Sequence, residues 1–156
     1  MSQTVAAINI RRRTAAIALF RELRLEGVIV RHLPNDMLRA ENAIVGFAHE
    51  ICNHYEIAII AVESAERITE RQQRSYRIAR EAFDDESVAI HEVPIQELME
   101  CYAFRPLRVR QQLRRIARNI WPSLATKQYG NTALDAALVG LCIQTKHLLS
   151  INPNER

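Results

Sequence analysis

Two short apolar arms, Val5–Ile10 and Thr14–Phe20, open the chain on either side of an Arg11-Arg12-Arg13 corner. Apolar, β-prone runs joined by so short a polar link predict an antiparallel hairpin. "GVIVRHL" (27–33) opens on glycine and is rich in β-branched residues, which predicts a third strand. From 34 to 55 the period changes: Met37, Ala40, Ile44, Phe47, Ala48 and Ile51 recur at helical spacing, behind Asn35 or Asp36 as N-cap. "EIAIIAVE" (56–63) is almost continuously apolar and ends in an acid, the pattern of a central strand covered on both faces. A charged amphipathic helix is predicted over 66–83 and a fifth strand over 87–93, stopped by Pro94. Helices follow over 94–104, 105–121 and 131–150, with Pro94 and Pro106 suited to first turns.

The first three strands, joined by short turns, suit an antiparallel meander. The last two follow helices, so right-handed crossovers place them parallel in the same sheet. The prediction is an α/β domain with a five-stranded mixed sheet flanked by helices. At 156 residues, with no repeat, linker or low-complexity segment, the chain reads as one domain over 1–156.

Composition narrows the function classes. With 48% hydrophobic and 25% charged residues the chain reads as globular, and no segment has the length of an apolar membrane span. The N-terminal charges follow the apolar run, the reverse of a secretory signal, so a cytoplasmic location is expected. Cys52, Cys101 and Cys142 are scattered among apolar neighbours and read as buried free thiols. His32, His49, His54 and His147 form no ligand-spaced pair, and there is no glycine-rich phosphate loop. Net charge is only +3, yet Lys127 and Lys146 are the only lysines, leaving 19 arginines among 21 basic residues. Arginine's planar fork suits phosphate, although a lineage bias toward arginine gives the same count.

The basic residues are also clustered. "RPLRVRQQLRRIARNIW" carries Arg105, Arg108, Arg110, Arg114, Arg115 and Arg118, and no acid occurs from Cys101 through Leu134. On a helix, Val109, Leu113, Ile116, Ala117 and Ile120 form an apolar stripe, while Arg110, Arg114 and Arg118 line up four apart on another face. Like charges at that spacing repel and need partners from elsewhere. Phosphate is one source; acids of neighbouring helices or of a second subunit are the other. No base-reading signature accompanies the arginines, so any contact is with backbone and shape.

The order of elements resembles the ribonuclease H-like fold and, in finer detail, the RuvC-type Holliday junction resolvases. The resemblance is carried by "AAINIRRRTAAIALF", by "IAIIAVE" and by "NTALDAALVGLCI", which is similar to the family's last helix. The family uses two strand acids and two aspartates three apart on that helix. They hold two Mg²⁺ ions roughly 4 Å apart for phosphodiester hydrolysis. Glu63 matches the strand-end glutamate and Asp135 the second helix aspartate, so these are the implied metal ligands. Asn9 stands where the first-strand aspartate is expected, and Thr132 where the first helix aspartate is expected. Two acids of four are thus neutral, and a conventional two-metal site is not expected at ordinary Mg²⁺. Glu66 and Glu92 are the nearby acids available as substitutes.

The expectation is a resolvase-like binder of structured, branched DNA, acting as a homodimer. Its contacts would be Arg11, Arg12, Arg13, Arg108, Arg110, Arg114, Arg115 and Arg118. It is either a weak Mg²⁺- or Mn²⁺-dependent endonuclease or a non-catalytic relative. The alternative from another class is a protein-assembly module, whose mark would be arginines held in ion pairs.

Overall fold

Strands β1 (Thr4–Ile10), β2 (Thr14–Arg21) and β3 (Arg24–His32) form the expected antiparallel meander. β4 (Ile57–Ser64) then joins β1 in parallel, and β5 (Ala89–Pro94) joins β4 in parallel, giving the order β3-β2-β1-β4-β5. This computed structural model describes residues 3–64, 69–102, 109–125 and 129–150. The predicted α/β class and mixed five-stranded sheet are what it shows.

Helices α1 (Met37–His54) and α2 (Glu70–Asp85) cover one face of the sheet. The Asp36 side chain accepts the Arg39 N–H at 2.9 Å and starts α1 as an N-cap. The sequence pattern runs the second helix from 66, but α2 begins behind Thr69, which forms a capping box with Gln72. Thr69-x-x-Gln72 is a local start signal that the charge pattern obscures. On the other face lie α3 (Ile95–Cys101), α4 (Val109–Ile120), a 3-10 turn over Pro122–Ala125, and α5 (Gly130–Ser150).

β3 starts three residues earlier than its glycine predicts. The turn before it places Glu22 and Leu23 at φ 52° and 66°, as a tight hairpin link requires. Neither residue favours that region, so the turn relies on tertiary support: the Leu23 N–H donates to Gln144 Oε1 of α5 at 2.6 Å. This bond lies outside any local pattern.

The two faces of the sheet are built differently. Toward α1 and α2 it presents Ile8, Ile10, Ile17 and Ile60, packed on Ile44, Phe47, Ile51 and Phe83. Toward α5 it presents Ala7, Ala16, Ala18 and Ala61, which meet Ala133, Ala136 and Ala137. Small residues on both sides bring α5 close to the strands. At Gly140 a Cβ would stand 2.5 Å from Phe20 Cε2 and 2.7 Å from its Cδ2. Phe20 cannot retreat easily, being fully buried with Trp121 edge-on at 5.9 Å. The cysteines depart in part from the expected burial: Cys142 is buried, whereas Cys52 and Cys101 are half-buried at helix flanks.

Candidate functional site

Strand alternation decides which side chains face α5. On β1, Val5 and Ala7 pack on that side, so Asn9 continues the same row. On β4, Ala61 packs there and Glu63 follows two residues on. Ile8 pairs with Val62 in the parallel ladder, and one step further on each strand stand Asn9 and Glu63. Adjacent strands lie about 4.8 Å apart, so the two side chains rise as neighbours at the strand ends.

α5 completes the cluster from above. Thr132 lies in its first turn, and the Thr132 and Thr14 hydroxyl oxygens are 2.7 Å apart, fixing the helix start to β2. Asp135 follows about one turn later. Asn9, Glu63, Thr132 and Asp135 are all buried, at 6%, 6%, 4% and 3% exposure. Four polar side chains at the end of an alanine-lined face need partners, because an unmet buried polar group costs stability. One partnership among the described residues is with α4. Arg114 Nε donates to Asp135 Oδ1 at 3.0 Å and its Nη2 donates to Oδ2 at 2.8 Å. This parallel fork is the strong, geometrically specific form of a carboxylate ion pair. Only 15% of the Arg114 side chain and 4% of the Asp135 side chain are exposed. Asn9 Oδ1 is buried with no hydrogen-bond partner among the described residues.

Two solved structures share this architecture over nearly their whole length. Thermus thermophilus RuvC in complex with Holliday junction substrate superposes with a TM-score of 0.76 at 13% identity, over 95% of this chain and 96% of that one. A second Thermus thermophilus RuvC structure gives 0.75 at 12% identity, over 94% and 96%. The fold is that of RuvC. No family model matches the sequence, and no curated protein matches it either.

A RuvC-type site implies divalent metal, and the residues here do not fit it. Asn9 supplies a neutral oxygen, the Thr132 hydroxyl is shared with Thr14, and both Asp135 oxygens are engaged by one guanidinium. Two divalent cations on such a donor set lack the carboxylates that normally balance them. Among the described residues no three His, Cys, Asp or Glu side chains are grouped as metal ligands. Glu92 is no substitute, because it pairs with Val62 on the α2 face and is exposed in an ion pair with Arg80. Glu66 lies outside the described residues.

The arginines divide into two groups. Arg114, aligned by its spacing with Arg110 and Arg118, turns inward; it sits between buried Leu113 and buried Ala117 on the flank that meets α5. Arg115 and Arg118 are exposed, as is Ile120 at the end of the predicted apolar stripe. Arg105, Arg108 and the Arg110 side chain lie outside the described residues. Arg11, Arg12 and Arg13 are exposed at the β1–β2 corner. Arg71, which the sequence does not single out, joins them around a hollow of about 620 Å³ bordered by Thr14, Thr69 and Gln72. The corner is anchored rather than loose. The Ile10 N–H donates to the Tyr76 hydroxyl at 2.9 Å, and the Leu33 N–H donates to the Arg13 carbonyl at 2.8 Å. Thr14 borders the hollow and also binds Thr132, so the basic corner adjoins the buried cluster.

Two titratable groups near the framework are shifted by their surroundings. Burial, reinforced by the Cys101 and Cys142 thiols, holds the Tyr102 hydroxyl protonated well above its ordinary range. That hydroxyl donates to the Leu138 carbonyl at 2.6 Å and ties the end of α3 to α5. Burial, and then the nearby Glu86 charge, pushes the Cys52 thiol up, which makes it a poor nucleophile at neutral pH.

Proposed function

We propose that this chain binds branched DNA through its exposed arginines and does not cut it. The observation that carries this reading is the basic corner of Arg11, Arg12, Arg13 and Arg71 around a hollow next to the RuvC-type cluster. None of Arg11, Arg12, Arg13, Arg115 and Arg118 has an ion-pair partner among the described residues. Phosphate is the partner that suits unpaired guanidinium forks, and it releases counterions on binding. The Thermus thermophilus protein of the same fold was solved with a Holliday junction substrate, which makes a four-way junction the first ligand to try.

The non-catalytic half of the proposal follows from the donor set. Mg²⁺ or Mn²⁺ is then no cofactor, and Glu63 and Asp135 act as structural acids. A homodimer and a cytoplasmic location accord with a DNA partner. Exposed Met37 and Leu38 at the start of α1, at 40% and 67%, offer apolar surface to a second copy. No helix among the described residues is long and apolar enough to cross a membrane.

A labelled four-way junction titrated across a salt series, beside duplex and single-strand controls, tests the reading. Binding should favour the junction and weaken steeply with salt. Arg12→Gln with Arg13→Gln should lower affinity at every sequence and flatten the salt slope by about one unit for each phosphate no longer neutralised. The assembly reading has its own support, since Arg31–Glu50, Arg74–Glu41, Arg80–Glu92 and Arg114–Asp135 pair within the chain. A stable dimer with no affinity for any of the three nucleic acids would favour it.

A further inference from the structure

The hollow beside the β1–β2 corner is short of negative charge. Arg11, Arg12, Arg13 and Arg71 border it, and no acid stands among the described residues of its wall. Guanidinium groups stay charged throughout the physiological range, so ordinary pH does not relieve that excess. α2 also starts here, with Thr69 and Gln72 in the wall, and the positive end of its peptide dipoles adds to the arginines.

The wall is braced from several sides. The Gln72 amide donates to the Ile10 carbonyl at 3.4 Å, and the Arg71 guanidinium donates to the Pro34 carbonyl at 3.4 Å. The Arg11 N–H donates to the Thr14 carbonyl at 2.8 Å and closes the corner itself. Ser75 is the deepest part of the wall: it is only 8% exposed, while the other bordering residues are exposed or half-buried. Its hydroxyl has no hydrogen-bond partner among the described residues. A buried hydroxyl left open toward a cavity is suited to a ligand atom.

A backbone phosphodiester brings a single charge and must leave the hollow by two ester links. A terminal phosphomonoester brings about two charges, three free oxygens and one link, so it can pass the arginines and reach Ser75. We propose that the hollow is a receptor for a terminal phosphomonoester, carried by a DNA strand end or by a free nucleotide. Arg71 and the corner arginines hold the phosphate oxygens, and the Ser75 hydroxyl donates to the deepest of them. A volume of about 620 Å³ leaves room for the attached sugar.

The proposal rests on the reading of this corner as a phosphate-binding surface and names the phosphate it prefers. An internally dye-labelled oligothymidylate is compared by fluorescence anisotropy in its 5′-phosphorylated, 3′-phosphorylated and unphosphorylated forms. A four-way junction with hairpin-closed arms, which has no phosphorylated end, runs alongside. One phosphorylated form should bind about tenfold tighter than the unphosphorylated one. Arg71→Gln and Ser75→Ala should each remove most of that preference. Adenosine monophosphate, inorganic phosphate and adenosine are then added as competitors. Competition by the first two and not the third assigns the site to a free nucleotide, and its absence assigns the site to a strand end. Equal binding of all three oligonucleotides would overturn the proposal, even where the closed junction binds. So would a preference unchanged in either variant. A preference kept without closed-junction binding would sink the branched-DNA reading and leave this one standing.

Discussion

The two faces of the central sheet bury similar lengths of strand in opposite ways. Toward α1 and α2, large aliphatic and aromatic side chains interlock, with Glu41, Ser75 and the Tyr76 hydroxyl buried among them. Toward α5, alanines bring a helix down onto the strands and leave four buried polar side chains at one end. The first face holds the domain together by bulk. The second holds it by close approach, and close approach places Thr132 and Asp135 over Asn9 and Glu63. The proposed function turns on that second face, where close packing sets the four polar side chains together.

The largest blow to the first face is Phe83→Ala, which empties a fully buried position. A loss of about 3–5 kcal/mol is expected, read as a lower urea midpoint. On the second face, Arg114→Ala should cost about 3 kcal/mol, because it removes the buried guanidinium fork from the Asp135 carboxylate. Arg114→Met with Asp135→Leu should recover most of that loss in the same urea titration. If the single and double variants were equally unstable, packing rather than charge would explain Arg114.

A matched pair of glycine substitutions sharpens the contrast. Gly140→Ala drives a methyl into Phe20 and should destabilise by about 1–3 kcal/mol. Gly46→Ala on α1 meets nothing within 4 Å and should stabilise by about 0.5–1 kcal/mol through helix propensity. Opposite signs in one calorimetry series would confirm that the faces differ in closeness.

A further effect appears only at alkaline pH. Tyr102 is held protonated in the folded state, so its contribution is complete below the ordinary phenol value of 10 and declines above it. Stability should fall by about 1.4 kcal/mol per pH unit over that window, and Tyr102→Phe should remove this part of the slope.

Much of the fold was legible because its signals are local. The hairpin arms, the apolar run of β4 and the periodicity of α1 each speak within a few residues. The four cluster positions were legible only through the RuvC resemblance, since Asn9 and Thr132 are ordinary residues by themselves. Arg114 was not legible. Its spacing groups it with Arg110 and Arg118, and only the packing of α4 on α5 turns it toward Asp135. Arg71 was missed for the same reason: it reaches the basic corner from α2, some sixty residues along the chain. The Leu23 turn depends likewise on Gln144. Pairings between distant segments leave no mark in a single sequence.

The central claim is that the scaffold persists while its metal chemistry has gone. The most direct measurement is incubation of the wild type with a labelled four-way junction in chelator, then in Mg²⁺, then in Mn²⁺, scoring binding and strand cleavage together. The account predicts junction binding that survives the chelator and an uncut junction in all three conditions. Cleavage that requires metal and disappears in Asp135→Asn would contradict it.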